Sequence, residues 1–219
     1  MRAFLYSFFL LAATINLPAE GWKAGAASVV ITPTESIWMA GYGSRTAPAE
    51  GKETDLHAKA LVLEDGTGKR GLILTLDLVG IDRGFATRVT DSLTKQYQIP
   101  RESITLCASH THSGPVVAGN LAPLHYESLE PAQQKALDAY AGELHTKLVA
   151  VAGEAVGKLA PARLQWGSGK CTFAVNRRQN KEPEVPDKRT KGTLAGPSDH
   201  DVPVLSVRSP EGDLKAVLF

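Results

Sequence analysis

Apolar and polar positions change period several times along this chain, and each change marks an element. Residues 27–31 form a short apolar run stopped by Thr32-Pro33, which predicts a strand. The runs 56–63 and 71–79 predict two more, joined by the turn-rich segment 64–69. The second of these is almost continuously apolar, as in a strand covered on both faces, and Asp77 interrupts it. Helical spacing over 82–96 ends at Gln98-Ile99-Pro100, and Ile104 and Leu106 then alternate into a strand over 104–109. The longest stripe, Leu137, Tyr140, Leu144, Leu148 and Val151, predicts a helix over 131–156. A strand around 162–166 follows. The polar stretch 181–198, rich in Pro and Gly, reads as a long surface loop, and 202–207 with 214–219 reads as a hairpin around 209–213. These elements together predict a mixed α/β fold with sheets covered by helices.

The first residues follow different rules. Arg2, an apolar run over 3–13 and a small residue at Ala19 predict a signal peptide over 1–19, too short in its apolar part to span a membrane. The mature chain, 20–219, is then expected in a secreted or periplasmic setting, and its length suits one domain. Charges nearly cancel at a formal +1 and Lys and Arg form no stripe, which excludes a nucleic-acid partner. The two cysteines, Cys107 and Cys171, leave pairing open, a buried thiol being the commoner outcome for so few. The chain stops on Val217-Leu218-Phe219 with no turn or polar tail, so it is expected to be the N-terminal portion of a domain whose C-terminal part is missing.

The candidate chemistry concentrates in Cys107-Ala108-Ser109-His110-Thr111-His112-Ser113-Gly114-Pro115. Two imidazoles two residues apart leave the end of a strand on the same face, where both can approach one metal ion. Asp77 has two readings, a carboxylate that orients a metal-bound histidine or a cap on the following helix. The loop Met39-Ala40-Gly41-Tyr42-Gly43-Ser44-Arg45 could line a pocket, or it is a tight turn with Tyr42 packed on the core. His57, His125 and His145 read as structural residues.

The histidine stretch, Gly41-Tyr42-Gly43, Ile31-Thr32-Pro33 and Asn176-Arg177 together resemble the N-terminal part of the neutral/alkaline, non-lysosomal ceramidase family. That resemblance implies two stacked sheets between helical layers, an αββα-like arrangement of which this chain holds part. It also implies a zinc-dependent amidase that cleaves the N-acyl bond of ceramide. In those terms His110 ligates Zn2+, His112 lies beside the scissile amide, and Arg177 lines the pocket with Asn176, Gly41, Tyr42 and Gly43. A ceramide-like lipid substrate further implies peripheral contact with a membrane. The family's other zinc ligands and its central serine fall in segments beyond this chain, so the isolated chain is expected to be inactive. Val116-Val117 stands where many relatives continue with glycines and is expected to narrow the loop. Two alternatives stay open: a non-catalytic secreted binding module of the same fold, and a hydrolase of another amide or ester.

Overall fold

The computed structural model describes residues 21–219; the signal-peptide expectation on 1–19 lies outside them. A five-stranded sheet runs in the order β4 (Ile104–Ala108), β3 (Arg70–Leu76), β2 (His57–Glu64), β1 (Lys23–Val30), β5 (Ala160–Pro161). A three-stranded sheet follows the order β6 (Arg163–Lys170), β7 (Asp201–Arg208), β8 (Leu214–Leu218). All pairings are antiparallel except β3 with β4, which is parallel. A parallel neighbour needs a crossover, and helix α1 (Arg83–Tyr97) supplies it.

Strand alternation decides what covers each face of the large sheet. In β2, Ala58, Ala60 and Val62 enter the main core with Leu72, Leu74 and Leu76 of β3, under α1 and the long helix α2 (Pro131–Gly157). The opposite parity, Leu61 and Leu63 with Ala24 and Ala26 of β1, meets Leu164, Leu205, Val207 and Ala216 of the second sheet. The layers are therefore helices, sheet, sheet. Full cover on both faces of β3 is not what forms: Leu72, Leu74 and Leu76 are buried, whereas Ile73 and Thr75 are half-buried. The second sheet packs on β1 and β2 and stops short of β3.

Small residues in β1 set how near α2 can come. A β-carbon on Gly25 would lie 2.0 Å from the Ala155 carbonyl oxygen, so this glycine is a contact surface for the last turns of α2. The predicted helix stripe is observed: Leu137, Tyr140, Leu144, Leu148 and Val151 are all buried. The helix begins at Pro131 behind Glu130, whose N–H donates to Gln133 Oε1 at 3.1 Å. His145 behaves as a packing residue between the helices, with Nε2 at 3.0 Å from Ser92 Oγ of α1. Among the described residues no helix is long and apolar enough to cross a membrane.

Two expectations fail here. The stretch 181–198 is not one long loop, because it holds a short helix, α3 (Val185–Lys191), closed by Gly192 at φ 65°. Its charges misled the reading: Glu184–Lys188 and Asp187–Lys191 are pairs four residues apart, at 2.9 and 2.8 Å, that support a helical turn with no apolar stripe. The cysteines are both free, and neither is fully buried. Cys107 is exposed because β4 is an edge strand with no second sheet over its outer face.

Candidate active site

The parallel pair β3–β4 delivers two chain segments to the same sheet end, the position at which open α/β sheets hold ligands. Beyond β3 the chain runs through Asp77, Leu78 and Val79 to Asp82, which caps α1 by accepting the Phe85 N–H at 2.9 Å. Its other carboxylate oxygen accepts the Gly119 N–H at 3.1 Å and so ties the post-β4 loop to the same helix start.

Beyond β4, the Ser109 N–H still donates to the Leu76 carbonyl at 2.9 Å, and the chain then turns sharply at His110, φ 59°. A left-handed conformation is unfavourable for a residue with a side chain and must be held by its surroundings. The holding contact is His110 Nδ1 to the Val79 carbonyl oxygen at 2.7 Å. A carbonyl only accepts, so Nδ1 carries the hydrogen, and the neutral ring presents its lone pair at Nε2.

The His112 ring contacts two others. Its centroid is 4.9 Å from that of His110 at an interplanar angle of 76°, and 4.9 Å from that of Tyr42 at 75°. Both are edge-on arrangements. The loop carrying Tyr42 is stitched to the histidine loop by Ala40 N–H to the Gly114 carbonyl and Val116 N–H to the Trp38 carbonyl, each 2.9 Å. Gly41 is required for this approach. Its φ is 102°, and a β-carbon there would sit 2.5 Å from His112 Cγ and 2.9 Å from His112 Cα. Gly43 makes a similar approach to Leu124, whose Cδ1 would be 2.8 Å from an added β-carbon. Tyr42 is exposed rather than packed on the core.

Two residues that the sequence did not mark complete the cluster. Arg45 donates from Nη2 to the His112 carbonyl at 2.7 Å, and its guanidinium carbon lies 5.4 Å from the Tyr42 ring centre. His125 is fully buried, and its Nε2 accepts the Gly41 N–H at 3.3 Å. Burial, and then the charge of Arg45, hold its pKa below the ordinary histidine value, which keeps Nε2 an acceptor. A charge or histidine in an irregular loop has no periodicity to expose it; the nearest signal was the pair of glycines around Tyr42.

Asp77 neither orients His110 nor caps α1. Its Oδ2 accepts the His57 N–H at 2.9 Å, and its own N–H donates to the His57 carbonyl at 3.0 Å, so it completes the β2–β3 edge. The orienting role expected of a carboxylate falls instead to the main-chain carbonyl of Val79. Val116 and Val117 are fully buried in the helix-side core and do not narrow the loop. The bridge between Pro115 and Met39 and the Val116 N–H on the Trp38 carbonyl at 2.9 Å hold this part of the chain against the 38–40 segment.

Asn176 and Arg177 stand on a different structure. The Asn176 side chain accepts the N–H groups of Arg178 and Gln179 at 3.1 and 3.2 Å and donates to the Pro197 carbonyl, while buried Asn180 bridges Asn176 and Ala195. This knot holds the Arg177 side chain at the surface. Among the described residues no hydrogen bond or ion pair joins Arg177 to the histidine loop.

No group of three or more His, Cys, Asp or Glu side chains among the described residues could hold a metal ion. The donor chemistry here is two imidazoles, one with its tautomer fixed for ligation, whereas a catalytic zinc usually takes three protein ligands.

Known proteins share this sequence pattern and fold. Residues 22–216 match the family model described as neutral/alkaline non-lysosomal ceramidase, N-terminal. The chain is 28% identical to neutral ceramidase of Pseudomonas aeruginosa over 184 residues, covering 80% of this chain and 26% of that protein. It is 27% identical to neutral ceramidase 3 of Arabidopsis thaliana over 118 residues, 52% of this chain and 16% of that protein. The solved neutral ceramidase from Pseudomonas aeruginosa superimposes with a TM-score of 0.68 at 24% identity, over 90% of this chain and 31% of its own. A ceramidase solved complexed with C2 gives 0.66 at 25% identity, over 89% and 30%. The chain thus spans about a quarter of the length of the bacterial relative. By a family match that runs from β1 into β8, this chain belongs to the neutral/alkaline non-lysosomal ceramidases and corresponds to their N-terminal part.

Proposed function

We propose that this chain is the N-terminal portion of an exported, zinc-dependent amidohydrolase that cleaves the N-acyl amide of ceramide to a fatty acid and a sphingoid base. The observation that carries the reading is the fixed His110 tautomer, Nδ1 on the Val79 carbonyl and Nε2 free, with the His112 imidazole beside it. His110 Nε2 would hold Zn2+, with the remaining ligands supplied outside this chain. When bound, the metal polarises the amide carbonyl and acidifies a water. His112 would pass a proton to the leaving amine nitrogen as the carbon–nitrogen bond breaks, a role an imidazole can serve. Tyr42, between Gly41 and Gly43, offers an exposed ring to the substrate. Arg177, with Asn176, enters the site through the family resemblance. The isolated chain, with two imidazoles and no third ligand, is inactive in this reading.

A complex of a relative with C2 supports a lipid substrate, and exposed Trp166 and Phe173 support peripheral membrane contact. The test is hydrolysis of a ceramide by the complete protein, with both products measured by mass spectrometry. Wild type should release both in equal amounts, and His112→Ala should lose about 100-fold or more in kcat. A wild-type protein that binds ceramide without cleaving it would establish the non-catalytic alternative, and cleavage of other amides or esters in preference to ceramide would establish the second.

A further inference from the structure

Arg45 has no part in the chemistry above, yet it is attached to the cluster at several points. It donates to the His112 carbonyl at 2.7 Å, lies over the Tyr42 ring at 5.4 Å, and its own N–H reaches the Tyr42 carbonyl at 3.4 Å. Its Nε is buried without a hydrogen-bond partner, so the side chain is not placed to satisfy its own donors. What fixes it is the carbonyl on one edge and the aromatic face below, a pairing that suits a planar guanidinium and that lysine cannot reproduce.

We propose that Arg45 is the positioning residue for the His112 imidazole, acting through the main-chain carbonyl of His112 and the ring of Tyr42 and not through substrate. The His112 ring meets the ring of His110, which is pinned to Val79, and the ring of Tyr42. Tyr42 is exposed, and the Arg45 guanidinium over its ring is its brace. The second leg of the loop is the Gly41 N–H on the Nε2 of buried His125, at 3.3 Å. Removing the guanidinium therefore frees the Tyr42 ring and the His112 carbonyl together.

The kinetic part of the test rests on the ceramidase reading. In the complete protein, Arg45→Met should lower kcat about 100-fold, the cost of misplacing a catalytic group by about 1 Å, while KM stays within about threefold. Arg45→Lys keeps a donor for the carbonyl but not the stacked face, and should fall between Arg45→Met and wild type. Unchanged kcat, or a raised KM with unchanged kcat, would overturn the proposal, the latter because it marks a substrate contact. A second measurement is independent of activity: crystal structures of wild type and variant, in which the His112 ring should be displaced or split between positions. A ring that stays in place overturns the proposal whatever the kinetics show. If wild type does not cleave ceramide, the functional reading fails and the ring position alone decides. If Arg45→Met does not fold, Arg45→Lys carries both measurements.

Discussion

The backbone of Gly41 occupies the space against the His112 side chain that a β-carbon would need, 2.5 Å from Cγ and 2.6 Å from Cβ. Neither partner can yield, since Gly41 is tied to His125 and its φ of 102° is itself unfavourable for an L residue. Gly41→Ala should cost about 1–3 kcal/mol in stability from strain alone. It should also displace His112 and reduce ceramide hydrolysis by the complete protein far more than the stability loss explains. A variant with wild-type melting temperature and rate would show that the loop has room the geometry denies it.

Zinc content should divide the chain from the complete protein. With His110 Nε2 as ligand, the complete protein should hold about one zinc, as structural chemistry requires for a catalytic site. His110→Ala should lose it, and a chelator should abolish hydrolysis by wild type. The 219-residue chain should carry no zinc above its own His110→Ala control, because two imidazoles do not make a site. Elemental analysis of the four samples checks this, and tight zinc in the short chain would refute it.

His125 should make stability depend on pH. Its folded-state pKa lies below the ordinary 6.5, from burial first and the Arg45 charge second, so the folded protein binds fewer protons than the unfolded one. Its contribution is complete above about pH 6.5 and is lost as pH falls below that value towards the folded pKa. Melting temperature followed from pH 8 to 5 should fall less steeply in His125→Gln than in wild type. Equal slopes would remove His125 from the account.

Two glycines, one in β1 against α2 and one on the exposed side of α2, should respond in opposite directions. Gly25→Ala drives a β-carbon to 2.0 Å from the Ala155 carbonyl oxygen, with backbone and not a flexible side chain in the way. Overpacking of this kind costs about 1–3 kcal/mol, and sometimes more. Gly142 lies within α2, and an added β-carbon there meets nothing within 4 Å. Gly142→Ala should stabilise by about 0.4–1 kcal/mol through the unfolded state. Denaturant melts of both variants read the difference directly.

Export is the last test. If residues 1–19 are a signal peptide, protein recovered from the periplasm or medium should begin at Glu20. An intact N-terminus at Met1 on the recovered protein would refute cleavage.

The sequence by itself determined the elements and most of the core. The stripe from Leu137 to Val151, the alternation in 56–63 and 104–109, and the His-x-His after a strand are local signals, and their periods depend only on backbone geometry. The helix at Val185–Lys191 escaped because ion pairs four residues apart, not an apolar face, support it. Tertiary structure alone decided which atoms meet around His112. That Val79 rather than Asp77 orients His110, that Val116 and Val117 turn inward, and that Arg45 and His125 serve the site all depend on loops brought together by the parallel β3–β4 pair. Contacts between segments as far apart as Gly41 and His125 leave no period in either one, so only the packed fold selects them.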